Sequence, residues 1–248
     1  MYIQCILLFI ILVLFIMSIY RINQTQLNNG LTKYVDTTLV INLTETIEGR
    51  RRWDIIQNNY FFKNIVKRFP GVYGKTRDKS VYDNIVVNTT WDIGKWLNNK
   101  SRIIDMSDGE IGVSISHYNI WKYIVENNMG KVFILEDDAI DISYQFNRYL
   151  EIIFNEVPDN WDIILLGFWL HKGDTGYKVS KNIYRVKDFV LMHGYIINTK
   201  GASKLLQHLP IDAPLDTWIS SISDDLYIYR HHFVTQINGN QPYSVMIN

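Results

Sequence analysis

Three consecutive carboxylates, Glu136-Asp137-Asp138, close the short apolar run KVFIL at Lys131–Leu135. Acids this crowded repel, and each favours its neutral form unless a cation or solvent separates them. A divalent ion bound through oxygen resolves that conflict and can in turn clamp a diphosphate. The same triplet also reads as a solvated acidic turn, so its chemistry depends on what stands around it. A second group lies in GEIGVSISHYNIW, Gly109–Trp121. At helical spacing Glu110, Ser114, His117 and Trp121 share one line, while Ile111, Ile115, Tyr118 and Val125 form a separate apolar stripe. A carboxylate, a hydroxyl and an imidazole in a row suit sugar hydroxyls or phosphate. A solvated helix face with a structural histidine fits as well.

Two further groups complete the candidates. In HGYIINTKGASKLLQHLPIDAPLDTWIS, His193–Ser220, Thr199 is placed to cap a helix, and Pro210 and Pro214 stiffen a loop that presents Asp212 and Asp216. Asp216 there suits a general base, a holder of a substrate hydroxyl, or the cap of the helix Thr217–Ser221. Asn42 ends the first strand, and Arg50, Arg51 and Arg52 follow on the next helix, where they can meet a diphosphate or face water. The chain has no Walker A, GxGxxG, HExxH or nucleophile-elbow sequence. His231-His232 are adjacent, a poor spacing for a metal pair on a helix.

The elements that must position these groups alternate. Buried strands are expected at Thr37–Leu43, Asn64–Phe69, Lys131–Leu135, Asp162–Gly167 and Leu226–Arg230, with paired strands at Ile183–Val186 and Val190–Asn198. Helices are expected at Glu48–Asn59, Glu110–Asn128, Tyr144–Asn155 and Lys200–His208. Such alternation predicts an α/β sandwich with a largely parallel sheet, and in such sheets ligands gather at the carboxyl ends of the strands.

Ahead of these elements, Ile3–Tyr20 is almost wholly apolar and long enough in helical form to approach a hydrocarbon core. It predicts a single-pass N-terminal anchor over residues 1–20, a polar stem over 21–36 and one domain over 37–248. A cleaved signal peptide is the competing reading, against which stand the missing basic residues before the run and the missing small-residue cleavage site. Arg21 and Lys33 follow the run, which favours a cytoplasmic domain. Asn23, Asn42, Asn88 and Asn99 head glycosylation sequons that would favour a lumenal one, so orientation stays open. The charges, 25 Lys and Arg against 25 Asp and Glu, sum to zero and give no reason to expect a nucleic-acid partner. The single cysteine, Cys5, excludes an internal disulfide.

In order, VINL at Val40–Leu43, GEIGVSISH at Gly109–His117, FILEDDA at Phe133–Ala139, WDIILLG at Trp161–Gly167 and HGYIINTKGASKLL with PLD to Asp216 resemble glycosyltransferase family 25. That family includes lipopolysaccharide sugar transferases and the domains that galactosylate collagen hydroxylysine. The resemblance implies a GT-A-like fold and inverting transfer of a hexose from a nucleotide sugar, UDP-galactose or UDP-glucose, to a glycan or hydroxylysine-type acceptor. It implies Mn²⁺ or Mg²⁺ held by Asp138 and Glu136, and donor contacts from Asn42, Arg51, Arg52, Glu136, Asp137 and His193. Asp216 is the first candidate base, with Glu110 and His117 as others. Acceptor contacts are expected from the loops Lys75–Lys79 and His171–Lys178. The chain departs from the family pattern in having Val113 where Cys is common, in the later position of its arginines after Asn42, and in its apolar N-terminal run. Two other readings remain: a catalytically inactive glycan-binding scaffold, and a different metal-dependent nucleotide-processing enzyme.

Overall fold

The computed structural model describes residues 2–59, 62, 64–87, 90–92, 103–139, 141–142, 145–170, 176–231 and 245–246. Helix α1 (Tyr2–Tyr34) leads into strand β1 (Thr37–Asn42), helix α2 (Ile47–Asn58) and strand β2 (Val66–Pro70). A 3-10 turn (Gly74–Thr76), the short helix α3 (Lys79–Tyr82) and an antiparallel pair, β3 (Thr90–Asp92) with β4 (Ile103–Asp105), precede the long helix α4 (Asp108–Glu126). Next come β5 (Lys131–Glu136), β6 (Asp141–Ile142), α5 (Phe146–Glu156), β7 (Ile163–Leu170), β8 (Tyr177–Lys178), β9 (Ile183–Arg185) and β10 (Phe189–Asn198). Helices α6 (Thr199–Gln207) and α7 (Leu215–Ser221) and strands β11 (Ile228–His231) and β12 (Val245–Met246) follow.

Eight strands join in the order β2-β1-β5-β10-β7-β11-β9-β8. The pairings make six of the eight point the same way, with only β10 and β9 reversed. The fold is therefore mixed α/β around a large, mostly parallel sheet. The expected pairing of β9 with β10 does not occur. β10 is inserted between β5 and β7, while β9 lies beyond β11, because both runs are apolar enough to be buried and local pattern does not say which edge each joins.

Strand alternation then decides which side chains meet which helix. In β5, Phe133 stacks on Phe146 of α5, whereas Ile134 lies opposite Tyr195, whose hydroxyl meets α4. Glu136, two residues beyond Ile134, falls on the α4 side as well. Helix α4 starts where Ser107 and Glu110 form a reciprocal capping box. Helix α6 is capped by Asn198, whose side chain accepts from Gly201 N at 2.7 Å, rather than by the expected Thr199. An Asn one residue earlier has the extended backbone a cap needs.

The stretch expected as a stem is helical as far as Tyr34. Its last turn belongs to the domain: Leu31 is 1% exposed, and the Tyr34 ring stacks on Phe154 with centroids 5.1 Å apart. Toward its start, Ile6 to Met17 stand exposed in an unbroken apolar series. Among the described residues, no helix is long and apolar enough to cross a membrane, so the expected span is not itself shown.

Candidate functional site

The acidic triplet sits at the carboxyl end of β5, flanked by β1 and β10. Glu136 ends the strand, and Asp137 and Asp138 form the turn after it. The three carboxylates have different surroundings. Asp137 is tied down: Arg52 Nη1 donates to its Oδ1 at 2.7 Å and Asn42 Nδ2 to its Oδ2 at 2.6 Å. Burial still raises its pKa, against the pull of Arg52 and Asn42. Glu136 is pushed up to about 8, first by burial and then by the charge of Asp138. Asp138 has a buried Oδ1 that accepts no hydrogen bond among the described residues.

Two clefts meet over this turn. The first, of 440 Å³, is walled by Asn42, Thr46, Gly49 and Arg52 on one side and by Val72–Gly74, Val113, Ser116 and His117 on the other. The second, of 420 Å³, is walled by Leu191–His193, Pro214–Asp216 and Glu110. Gly109, Val113, Glu136 and Asp138 line both, so the acids stand at the junction.

In the first cleft, Asn42 is 1% exposed and fully engaged. Its amide also donates to Gly49 O at 2.7 Å, and its carbonyl accepts from Arg68 Nε at 2.8 Å. Such a residue holds the cleft's shape and cannot carry the glycan that its sequon would allow. Arg52 reaches the site by bridging Glu48 and Asp137. Arg51 does not reach it: its guanidinium pairs with Glu48 on the exposed face of α2 and lies outside the cleft lining. The helical period turns position 51 away from position 52.

The opposite wall was not legible as a site. Val72 N donates to Ser116 Oγ at 2.8 Å, and Gly74 packs against the backbone of α4. A Cβ on Gly112 would stand 2.6 Å from Val72 O. The signal was the glycine pair itself, Gly74 and Gly112, which permits backbone to approach backbone.

The expected polar face of α4 is buried. Ser114 donates to Glu110 O at 2.9 Å, and His117 and Trp121 lie in the core. Trp121 Nε1 donates to Tyr195 Oη at 2.8 Å, and His117 Nδ1 shares a hydrogen bond with the same hydroxyl at 2.8 Å. His117 Nε2 lies 3.5 Å from Glu136 Oε1. Burial holds the His117 pKa down to about 3, so the ring is neutral. Glu110 spends its carboxylate on the helix cap, accepting from Ser107 N at 2.7 Å, at the rim of the second cleft.

In that second cleft, Asp216 Oδ2 accepts from Leu191 N and Oδ1 from Thr217 N, both at 2.7 Å. Burial raises its pKa, against those two backbone bonds. His193 lies beside it on the wall, with Nδ1 2.8 Å from Leu191 O. Asp212 lies outside both linings. Of the expected acceptor loops, residues 171–175 lie outside the described residues, as does His232.

For a cation, the unpartnered Oδ1 of Asp138 is a fitting oxygen donor. Among the described residues no three His, Cys, Asp or Glu side chains form a ready-made cage. A metal would therefore need ligands from its substrate and from water, the mode usual for Mg²⁺ on phosphates.

Compared with known proteins, residues 35–219 match the family model for glycosyltransferase family 25, described as LPS biosynthesis protein. The chain is 27% identical over 208 residues to procollagen galactosyltransferase 1-A of Xenopus laevis, covering 80% of this chain and 33% of that one. It is 29% identical over 192 residues to a glycosyltransferase 25 family member of Anopheles gambiae, covering 75% of this chain and 31% of that one. The chain thus spans about a third of the length of these relatives. Among solved structures, a UDP-glucose pyrophosphorylase complexed with UDP-glucose superposes with a TM-score of 0.42 at 10% identity, over 79% of this chain and 90% of that one. That likeness is too remote to bear on chemistry.

Proposed function

Because this chain belongs to glycosyltransferase family 25, we propose that it transfers a hexose, galactose first, from a nucleotide-sugar donor to a hydroxyl of a glycan or hydroxylysine-type acceptor, with inversion. The observation that carries this reading is the junction of two clefts over Glu136-Asp137-Asp138 at the end of β5. Two substrates must meet at one carbon, and two adjoining clefts of similar size suit that need.

The first cleft is assigned to the donor. Arg52 and the backbone of Tyr73 and Gly74 offer donors to a nucleotide and its phosphates, with Asn42 holding Asp137 and the cleft wall in place. Asp138 would hold Mn²⁺ or Mg²⁺, which when bound supplies charge to offset that of the departing diphosphate. The second cleft is assigned to the acceptor. It adjoins the first over Glu136 and Asp138, which would let an acceptor hydroxyl approach the donor's anomeric carbon. Galactose is the first donor sugar to try because the Xenopus relative is named for it.

The exposed apolar series on α1 supports membrane attachment through the N-terminus, which we include in the proposal with its orientation open. The test is a donor screen: the full chain in detergent with Mn²⁺, a panel of UDP-sugars and glycan or hydroxylysine-peptide acceptors, read by mass shift. A hexose increment with release of intact UDP supports the reading, and no turnover of any sugar nucleotide refutes it.

A further inference from the structure

Strand β10 pairs irregularly with β7 between Val190 and Gly194, and Leu191 within that stretch has a φ of 54°. A bulge of this kind re-aims side chains and recurs next to active sites. A left-handed leucine is costly, so the surroundings must hold it there. The holder is Asp216, whose Oδ2 takes Leu191 N at 2.7 Å. The turned Leu191 then presents its carbonyl to His193 Nδ1 at 2.8 Å. A carbonyl can only accept, so Nδ1 carries a proton, and in the neutral ring Nε2 carries the lone pair. His193 is 4% exposed, and its Nε2 has no hydrogen-bond partner among the described residues although the residue lines the second cleft. In the neutral ring, a buried acceptor nitrogen with no donor among the described residues, on a residue that lines a cleft, suits a hydroxyl.

We propose that His193 Nε2 takes the proton of the acceptor hydroxyl, and that Asp216 is the positioning residue that sets its tautomer through Leu191. The proposal rests on the transferase reading above. As the acceptor oxygen forms its bond to the anomeric carbon, its proton passes to Nε2. The bond from that carbon to the donor's diphosphate oxygen breaks, and its electron pair leaves with the diphosphate. The imidazolium then returns its proton to water. Asp216 suits the task less well, since each of its oxygens already accepts a backbone N–H.

The test uses the full chain in detergent with the donor and acceptor that the screen identifies. His193→Asn keeps a side-chain N–H for the Leu191 carbonyl and removes Nε2. It is expected to fold as the wild type does, to bind UDP with Mn²⁺ equally well, and to lose about 10²- to 10⁴-fold in kcat. His193→Ala is expected to recover part of its kcat when imidazole is added, which a purely structural histidine would not allow. Asp216→Ala is expected to lose kcat without rescue by formate. A His193→Asn chain with wild-type kcat overturns the proposal, as does formate rescue of Asp216→Ala combined with no imidazole rescue of His193→Ala. A wild-type chain that transfers no sugar sinks the transferase reading and the proposal together, whereas activity retained in His193→Asn sinks the proposal alone.

Discussion

Asp137 and Asp138 are neighbours in sequence with opposite surroundings. Asp137 is held by Arg52 and Asn42, while Asp138 keeps a buried oxygen without a partner among the described residues. Asp138→Ala is therefore expected to leave the melting temperature unchanged or higher while sugar transfer falls by at least about 10²-fold, measured by calorimetry and by product mass. Arg52→Ala should do the reverse in part, because Asp137 stays largely out of water with Asn42 its one remaining hydrogen-bond donor among the described residues. A loss of about 1 kcal/mol is expected, modest because the guanidinium is partly solvated, read from the urea midpoint. A third residue links stability to pH. His208 has a raised pKa, from the Lys204 carbonyl first and Asp225 second. A raised folded pKa means its contribution is full below the unfolded value of about 6.5 and is lost as pH rises through the folded one. His208→Ala should lower stability in mildly acidic buffer, by less than about 1 kcal/mol for so exposed a pair, and make no difference in alkaline buffer.

At the scale of elements, helix α4 is the part that everything else is measured from. Its first turns wall both clefts, and its middle supplies Ser116, His117 and Trp121 to the interior. The loop Val72–Gly74 lies directly on it, with a Cβ on Gly112 only 2.6 Å from Val72 O. Gly112→Ala must push that loop away. The expected result is a stability loss of about 1–3 kcal/mol and weaker UDP binding, with acceptor binding less affected, checked by thermal melts and calorimetric titration. Much of the helix was legible: the apolar stripe and an end by Asn128 are local signals, whereas the cap Ser107, which starts the helix at Asp108 rather than at the expected Glu110, was not read. Nor was the burial of the line Ser114, His117 and Trp121 legible, because a polar stripe does not say whether it meets a neighbour or water, and the solvent face is left to residues such as Lys122, Tyr123 and Glu126. The line Glu110, Ser114, His117 and Trp121 thus splits into a cap, a backbone-bonded hydroxyl and a hydrogen-bonded core pair.

For the whole molecule, the boundary of the domain matters as much as its site. Leu31, Tyr34 and Val35 pack into the core ahead of β1, and Asp36 accepts from Lys131 N at 2.7 Å. A chain beginning at residue 37 is expected to melt well below one beginning at residue 31, since it loses several buried side chains worth roughly 1.5–3 kcal/mol each. If the exposed series Ile6–Met17 seats in a bilayer, the full chain partitions into vesicles and the chain from residue 31 stays in the aqueous phase. Flotation on a density gradient separates the two outcomes.

Sequence alone determined what depends on neighbours along the chain. Strand and helix order, the acid triplet at a strand end, the helix ends and the collinear family segments are all signals of residue type at short spacing. Tertiary structure decided what depends on crossing the sheet. It inserted β10 between β5 and β7, which puts Leu191, His193 and the Asp216 loop against the carboxylates of β5. It also sorted three adjacent acids into one that is paired, one half-buried beside His117 and one with an oxygen unpartnered among the described residues. Charge state and tautomer are set by whichever group lies within hydrogen-bond reach, and for Asp137, His117 and Asp216 that group lies 85, 78 and 25 positions away in sequence.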